Sequence, residues 1–531
     1  MSPDLAAHKK KVIRRSAFVL AALYVLYAMP LGPFLVSFIS EGSVPLLLAG
    51  LGALLPIFLF TGQYWVGPFL IGRFTKVGWT GPEVLPEESR SFLTAICKSE
   101  NIQNLRVGVV NTRVPNAFAY GWRRRPHLVV TRGLLERLPE DELKAVLAHE
   151  VGHLRSRDFL ILTMAMVVPM LFLRFGWRLF LRGGSSNIGL FLRAIGGVFL
   201  CMYWVSRLVY LVLSRAREFY ADAFSASVTS DPDSLARALI RISYGCAIEQ
   251  GFLDQAASAA NKSAREAAKQ EAALLQPVGA LAIQNLSRGW MPLSAGSALY
   301  PFVERMMVWD VTNPWAWLHQ NDSSHPLTTF RISQLNQLTL KNGLKPSVDV
   351  PTQGRRGWKR FWLDLFAYLA PYLGILLWIW APVLVVVGAL YRFWYRYRGE
   401  ERVAAIADLI ARLDASLMNP IRVRVSGRLE SGSRFGLTGM VLVDSTGALP
   451  VRISLLSILA RMRVPSLAEK NVTISGWYRR DESPCIEPLW IKEADGKGLL
   501  RVRTRLVKLI VLLYCGVPSI VGFLGRLYVR H

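Results

Sequence analysis

His149, Glu150 and His153 stand in the order H-E-V-G-H within the stretch Ala145–Asp158, A-V-L-A-H-E-V-G-H-L-R-S-R-D. On a helix, residues four apart share one face about one turn apart, so both imidazoles can reach a single metal ion. Glu150 then lies beside that ion, placed to take a proton from an attacking water. The plain alternative is a surface helix that happens to carry two histidines. With 7 histidines in 531 residues, that coincidence is disfavoured. Such chemistry further needs a third ligand, a surface that holds substrate, and a compartment.

The elements around the motif are legible in outline. Pro139 opens a helix whose first turn carries Glu140, Asp141 and Glu142, which suits the helix dipole. Leu143, Val146, Leu147 and Leu154 form its apolar stripe. Upstream, Pro82–Ser99 reads as a helix, followed by short strands at Leu105–Val110, Asn116–Gly121 and His127–Thr131, with a basic turn at Trp122–Pro126. Downstream, Ser214–Thr229 is a helix in which Glu218 and Asp222 are the only acids. Like charges at i,i+4 destabilise a helix unless something positive answers them. A metal for Glu218 and an imidazole N–H for Asp222 would do so; Arg215 and Arg217 would do so too, if the pair is simply exposed.

Composition supplies the compartment. The chain is 52% hydrophobic, too apolar for a wholly soluble protein of this size, and its formal net charge is +26. That charge could suggest nucleic acid, but many arginines flank apolar runs, as basic residues do beside membrane spans. The five cysteines show no paired spacing, so neither a disulfide framework nor a thiolate metal site is expected. Ala17–Phe38, read as a retained anchor rather than a signal peptide, and Val44–Gly72 form a hairpin with both ends in the cytoplasm. Phe159–Leu173 and Ala194–Leu213 are a second apolar pair, with Arg174, Arg178, Arg182 and Arg193 assigned to the loop between them. Whether it crosses or only enters the membrane, this pair returns the chain to its starting side. Asp233–Arg265 is expected to be amphipathic helix. Leu365–Tyr391 is a single crossing or a bend at Pro371 and Pro382, and Leu509–Gly525 a further, marginal span. Ile421–Gly498 alternates in short strands, which suggests a small closed, OB-like barrel. Nucleic-acid binding is not expected there, because the stacking candidates are limited to Trp477 and Tyr478.

Together these motifs resemble the HtpX and CAAX-prenyl-protease family of integral-membrane zinc metallopeptidases, which are gluzincins. The resemblance covers roughly residues 1–340 and rests on four pieces: H-E-V-G-H at His149–His153, S-R-A-R-E-F-Y-A-D at Ser214–Asp222, P-N-A-F-A at Pro115–Ala119, and H-P-x-x-x-x-R-I-x-x-L at His325–Leu335. It implies one zinc ion per chain held by His149, His153 and Glu218, Glu150 as general base, and Asp222 orienting one of the histidines. It implies that Asn116, Ala117, Phe118 and Ala119 form an edge strand that pairs with extended substrate. His325 would stabilise the transition state, with Arg331 beside it. The fourth piece departs from the family pattern, since Leu327–Phe330 stand where a second proline and acids are common.

The expected architecture is a multi-pass α-helical membrane protein. It combines a mainly α gluzincin-like peptidase domain carrying a small edge sheet with a C-terminal OB-like barrel. The expected boundaries are a membrane hairpin at 1–75, the peptidase at 80–345 interrupted by apolar segments at 159–173 and 194–213, a membrane segment at 361–392, the barrel at 421–498 and a last membrane segment at 507–528. The expected activity is zinc-dependent endoproteolysis at the cytoplasmic membrane, with the active site on the cytoplasmic face and membrane-associated or misfolded proteins as substrates. Two rival readings are a CAAX-type processing protease and a membrane scaffold with an inert peptidase part and a partner-binding barrel.

Overall fold

The structure is a computed structural model that describes residues 12–26, 46–182, 186–243, 299–321, 323–350, 357–376, 383–397, 399–431, 440–453, 464–480, 484–495 and 498–502. Helices α1 (12–26) and α2 (Leu46–Thr75) lead to a 3-10 turn at Pro82–Val84 and α3 (Glu87–Ser99). Strands β1 (Arg106–Val110), β2 (Ala117–Trp122) and β3 (Arg125–Thr131) follow, then α4 (Arg132–Arg137), α5 (Glu140–Ser156), α6 (Asp158–Arg182), α7 (Asn187–Thr229) and α8 (232–243). Next come α9 (Leu299–Thr312), α10 (Pro314–Gln320), α11 (Thr328–Lys341), α12 (Trp358–Leu376) and α13 (Val383–Arg396). The described chain ends with β4 (Arg402–Val403), α14 (Ile406–Ile410), β5 (Ile421–Ser431), β6 (Met440–Asp444), β7 (Gly447–Val451), β8 (Asn471–Arg480), β9 (Pro484–Glu493) and β10 (Leu499–Arg501). It forms two compact units, one holding α1–α8 with α11 and the other α9, most of α10, α12–α14 and β4–β10.

In the first unit the sheet order is β1-β3-β2, with β1 parallel and β2 antiparallel to β3, so β2 is an edge strand. Thr131 caps α4 by accepting from the Leu134 N–H, which turns the chain off the sheet towards α5. Every residue of α5 from Ala145 to Gly152 is buried, so the helix is enclosed rather than laid on a surface by one stripe. It packs against α3, α7 and β2. Gly152 permits a close approach to α7, since a Cβ there would lie 3.1 Å from Ala221 Cα and 3.2 Å from the Phe224 ring.

The second apolar pair differs from the sequence expectation. Arg174, Arg178 and Arg182 lie on α6 and Arg193 on α7, leaving 183–186 as the connection. Their spacing of four keeps the three α6 arginines on one exposed face, so they mark the end of a helix rather than a loop. The Ala194–Leu213 run and the Ser214–Thr229 helix are one continuous helix of 43 residues. At about 1.5 Å per residue it is roughly 65 Å long, twice a hydrocarbon core of about 30 Å. Its apolar first part can therefore lie in lipid while Glu218 and Asp222 stand clear of it. Helices α6 and α7 are long and apolar enough to cross a membrane, and α7 turns Ile188, Phe191, Trp204 and Val212 outward. The pair is tightly joined at Gly196, where a Cβ would sit 2.6 Å from the Phe180 nitrogen. Leu23 of α1 and Leu59 and Phe60 of α2 share the core of this bundle. The remainder of the Ala17–Phe38 run beyond 26, the Asp233–Arg265 helix beyond 243, and Leu509–Gly525 lie outside the described residues.

In the second unit, α12 and α13 are antiparallel. Phe366 packs on Tyr391 with ring centroids 6.2 Å apart, the Tyr395 hydroxyl donates to Asp364 at 2.7 Å, and Arg392 lies 4.4 Å from the Tyr368 ring. Residues from the first half of α12 thus meet the end of α13, so the two helices lie side by side in opposite directions. Buried Asp364 is the fastening point, since Ser416 Oγ and Trp315 Nε1 donate to it as well. After α13, strands β5-β6-β7-β9-β8 close into a ring, all pairs antiparallel except β7 with β9. Alternation in β5 turns Val423 and Val425 into the barrel and Arg424 and Ser426 out. Trp477 and Tyr478 are core residues here, with Trp477 against the Tyr397 ring.

Candidate metal centre

Helices α5 and α7 bring His149, His153 and Glu218 together, with donor atoms all within 4.8 Å of one another. His149 Nε2 and His153 Nε2 are 3.1 Å apart, and each lies 3.7 Å from a Glu218 carboxylate oxygen. Tetrahedral bonds of about 2.0–2.2 Å would separate donors by roughly 3.2–3.6 Å, so the three residues fit such a site. Glu218 Oε2 is buried and accepts no hydrogen bond from the protein, which leaves a lone pair for a cation.

The opposite nitrogen of each imidazole meets a carboxylate. His149 Nδ1 is 2.9 Å from Asp222 Oδ1, and His153 Nδ1 is 2.5 Å from Asp158 Oδ2. A proton held on Nδ1 leaves the Nε2 lone pair facing the shared space. Asp222 therefore orients His149, not His153. Arg331 on α11 donates to Asp222 through Nε at 2.9 Å and Nη2 at 2.6 Å, and its Nη1 lies 3.4 Å from Glu218 Oε2. The acid pair is thus buried and answered by Arg331. Arg215 turns instead to the Gln320 carbonyl and Arg217 to Asp158, so the exposed-pair alternative does not hold. His325 joins the cluster with Nδ1 3.0 Å from Glu218 Oε1.

Glu150 is 2% exposed beside this cluster. Burial pushes its carboxyl up to about 7 against the pull of His153. His153 responds the other way: burial would lower it, but Asp158 and Glu218 outweigh that and lift it to about 9. Burial holds His149 below its usual range. The Ala119 backbone N–H on β2 also works against the effect of burial on Glu150, in keeping with the packing of α5 on β2. Ala117 and Phe118 are buried in β2, whereas Asn116 precedes the strand and its main chain is bonded to Thr131. A cavity of about 420 Å³ opens beside His153 and β2, lined among others by Tyr64, Trp122 and Phe159. The Trp122 indole donates to the Tyr64 carbonyl at 3.0 Å, so a tryptophan of β2 and the helix α2 close one wall together.

Two residues of the cluster were not anticipated from the sequence. Asp158 stands five positions after His153, at the turn into α6, and Arg217 stands one before Glu218. An acid just past an H-E-x-x-H helix is the local signal for the first; the second has none, because its partner comes from another helix.

Residues 88–339 match the family described as Peptidase family M48. A protein named "Protease HtpX homolog" from Aeropyrum pernix is 36% identical over 200 residues, 36% of this chain and 61% of that protein. "Protease HtpX homolog 2" from Methanosarcina acetivorans is 33% identical over 243 residues, 43% of this chain and 74% of that protein. "Protease HtpX homolog" from Methanothermobacter thermautotrophicus is 31% identical over 182 residues, 34% of this chain and 68% of that protein. The crystal structure of S. mikatae Ste24p is similar over 50% of this chain and 66% of that one, at 15% identity and a TM-score of 0.28. The convergent His149–His153–Glu218 cluster lies inside the matched region, and the chain belongs to the M48 peptidases, a metalloprotease family, alongside the HtpX homologues.

Proposed function

We propose that this chain is a multi-pass membrane zinc metalloendopeptidase of the cytoplasmic membrane that acts on membrane-associated or misfolded proteins from the cytoplasmic face. The observation that carries the reading is the convergence of two imidazoles and one carboxylate on a common point, with Glu150 beside it. The donor set is that of catalytic zinc, with three protein ligands from His149, His153 and Glu218. When bound, zinc supplies a Lewis acid that polarises the scissile carbonyl. Glu150 takes the proton from the attacking water and returns it to the leaving nitrogen. Asp222 holds the His149 ring, and Arg331 holds Asp222. The free edge of β2 at Ala117–Ala119 pairs with the extended substrate, and a substrate side chain enters the cavity by Tyr64 and Trp122. His325, whose Nδ1 faces Glu218, donates to the developing oxyanion through its other nitrogen. The outward apolar faces of α6 and α7 support insertion in lipid. The ring order of β5–β9 supports an OB-like barrel, a fold compatible with partner binding.

The test is Glu150→Gln in the full-length protein in detergent, assayed on a denatured membrane protein and, in parallel, on a C-terminally prenylated peptide. Proteolysis should fall about 10²- to 10⁴-fold with zinc retained. Cleavage at the parental rate would refute the mechanism, and preference for the prenylated peptide would replace the substrate class.

A further inference from the structure

We infer that Arg217 is a positioning residue that ties the N-terminal helix α1 to the geometry of His153 through Asp158, so that docking of α1 supports the metal site. The inference rests on the metal-site reading above. One oxygen of Asp158 faces His153 Nδ1 at 2.5 Å. The other accepts from Ser156 Oγ at 2.5 Å and from the Arg217 guanidinium through Nε and Nη2. Arg217 Nη2 also donates to the Ser156 carbonyl at the end of α5. Its remaining nitrogen, Nη1, donates to Ser16 Oγ on α1 at 2.8 Å, and that hydroxyl donates onward to the Val12 carbonyl at 2.8 Å.

The chain of contacts is buried throughout: Ser16 is 2% exposed, Arg217 1% and Asp158 5%. A buried guanidinium and carboxylate hold each other because water cannot replace either partner. Asp158 therefore cannot swing without moving Arg217, and the side of Arg217 away from Asp158 is fixed by α1. Ser16 and Arg217 are 201 positions apart, so this is not a local cap but a tertiary link from the first described helix to a metal ligand. Leu23, two turns further along α1, enters the core shared with α6 and α7, which holds the helix against them. A role confined to stability would leave His153 and the metal unaffected when Ser16 Oγ is removed. A positioning role would not.

The experiment uses the full-length protein in detergent and two readouts independent of catalysis: zinc affinity by chelator competition, and the d–d absorption of the cobalt-substituted form. Asp158→Asn should weaken zinc binding about 10- to 100-fold, the usual cost of losing an outer partner of a ligating histidine. Ser16→Ala deletes one oxygen and leaves the fold intact; it should weaken zinc about three- to tenfold and alter the cobalt spectrum, with Ser16→Thr restoring both. Parental zinc affinity and cobalt spectrum in Ser16→Ala and Arg217→Gln would overturn the inference even if Asp158→Asn behaves as expected. A parent that binds no zinc would overturn the metal-site reading and this inference with it.

Discussion

Arg331 sets the electrostatics of the site before any metal arrives. It is fully buried, donates twice to Asp222 and lies beside Glu218, and these acids drive its own ionisation still further up against the opposing effect of burial. Removing it leaves two buried carboxylates without their cation, which costs about 3–5 kcal/mol for a broken buried pair. Arg331→Met should therefore lower the thermal midpoint, and more so after chelation than with zinc bound, because zinc supplies the missing positive charge to Glu218. Equal losses in the two states would show that Arg331 serves packing alone. His127 offers a second test. It is buried between Tyr120 and Trp79, and burial, helped by Arg106, pushes its imidazole down to about 4. The unfolded chain binds that proton at about 6.5, so stability is lost as pH falls from 6.5 towards 4, by about 3 kcal/mol at most. His127→Phe should flatten the fall in thermal midpoint between pH 7 and 5; an unchanged slope would remove His127 from the account.

At the scale of elements, the meeting of α5 and α7 depends on the small residue inside H-E-V-G-H. A side chain at Gly152 would press on Ala221, next to Asp222 and one turn from Glu218, and on the Phe224 ring. Gly152→Leu should destabilise the protein by about 1–3 kcal/mol through overpacking and weaken zinc binding by moving Glu218 off the histidines. Unchanged zinc affinity would mean that the two helices reach their spacing without Gly152. The motif was legible because its logic is local: four positions on a helix share a face whatever surrounds it. Glu218 and Asp222 were legible as two acids in an apolar helix that needed an answer. The imidazole N–H expected for Asp222 is that of His149; that Arg331 also answers the pair was not legible, since it lies 109 positions from Asp222 and pairing over that distance depends on packing. Charge weighed against membrane topology assigns the α6 arginines to a loop, whereas their spacing of four is that of an exposed helical face. The antiparallel pairing of α12 and α13 is hidden from the sequence for a similar reason. Proline interrupts an apolar run in a kinked crossing as in a turn, and the contacts from Asp364 to Tyr395 and Ser416 that decide between them are tertiary.

At the scale of the whole molecule, the antiparallel α12–α13 pair has a consequence for sidedness within the second unit. Gly357 and the barrel should lie on one side of a membrane. Cys485 is 2% exposed and so unsuited to reporting this. In a background without native cysteines, Gly357→Cys and Ser426→Cys, both at exposed positions, should react alike with an impermeant maleimide in sealed vesicles. Labelling from opposite sides would mean that the two helices part in the bilayer. Distant parts of this chain are proposed to assemble one zinc site, and metal analysis of the purified protein puts that to the test. Stoichiometric zinc is expected in the parent and in Glu150→Gln, and its loss in His153→Ala and in Glu218→Ala. A parent without zinc, or a Glu218→Ala variant that keeps it, would contradict the account.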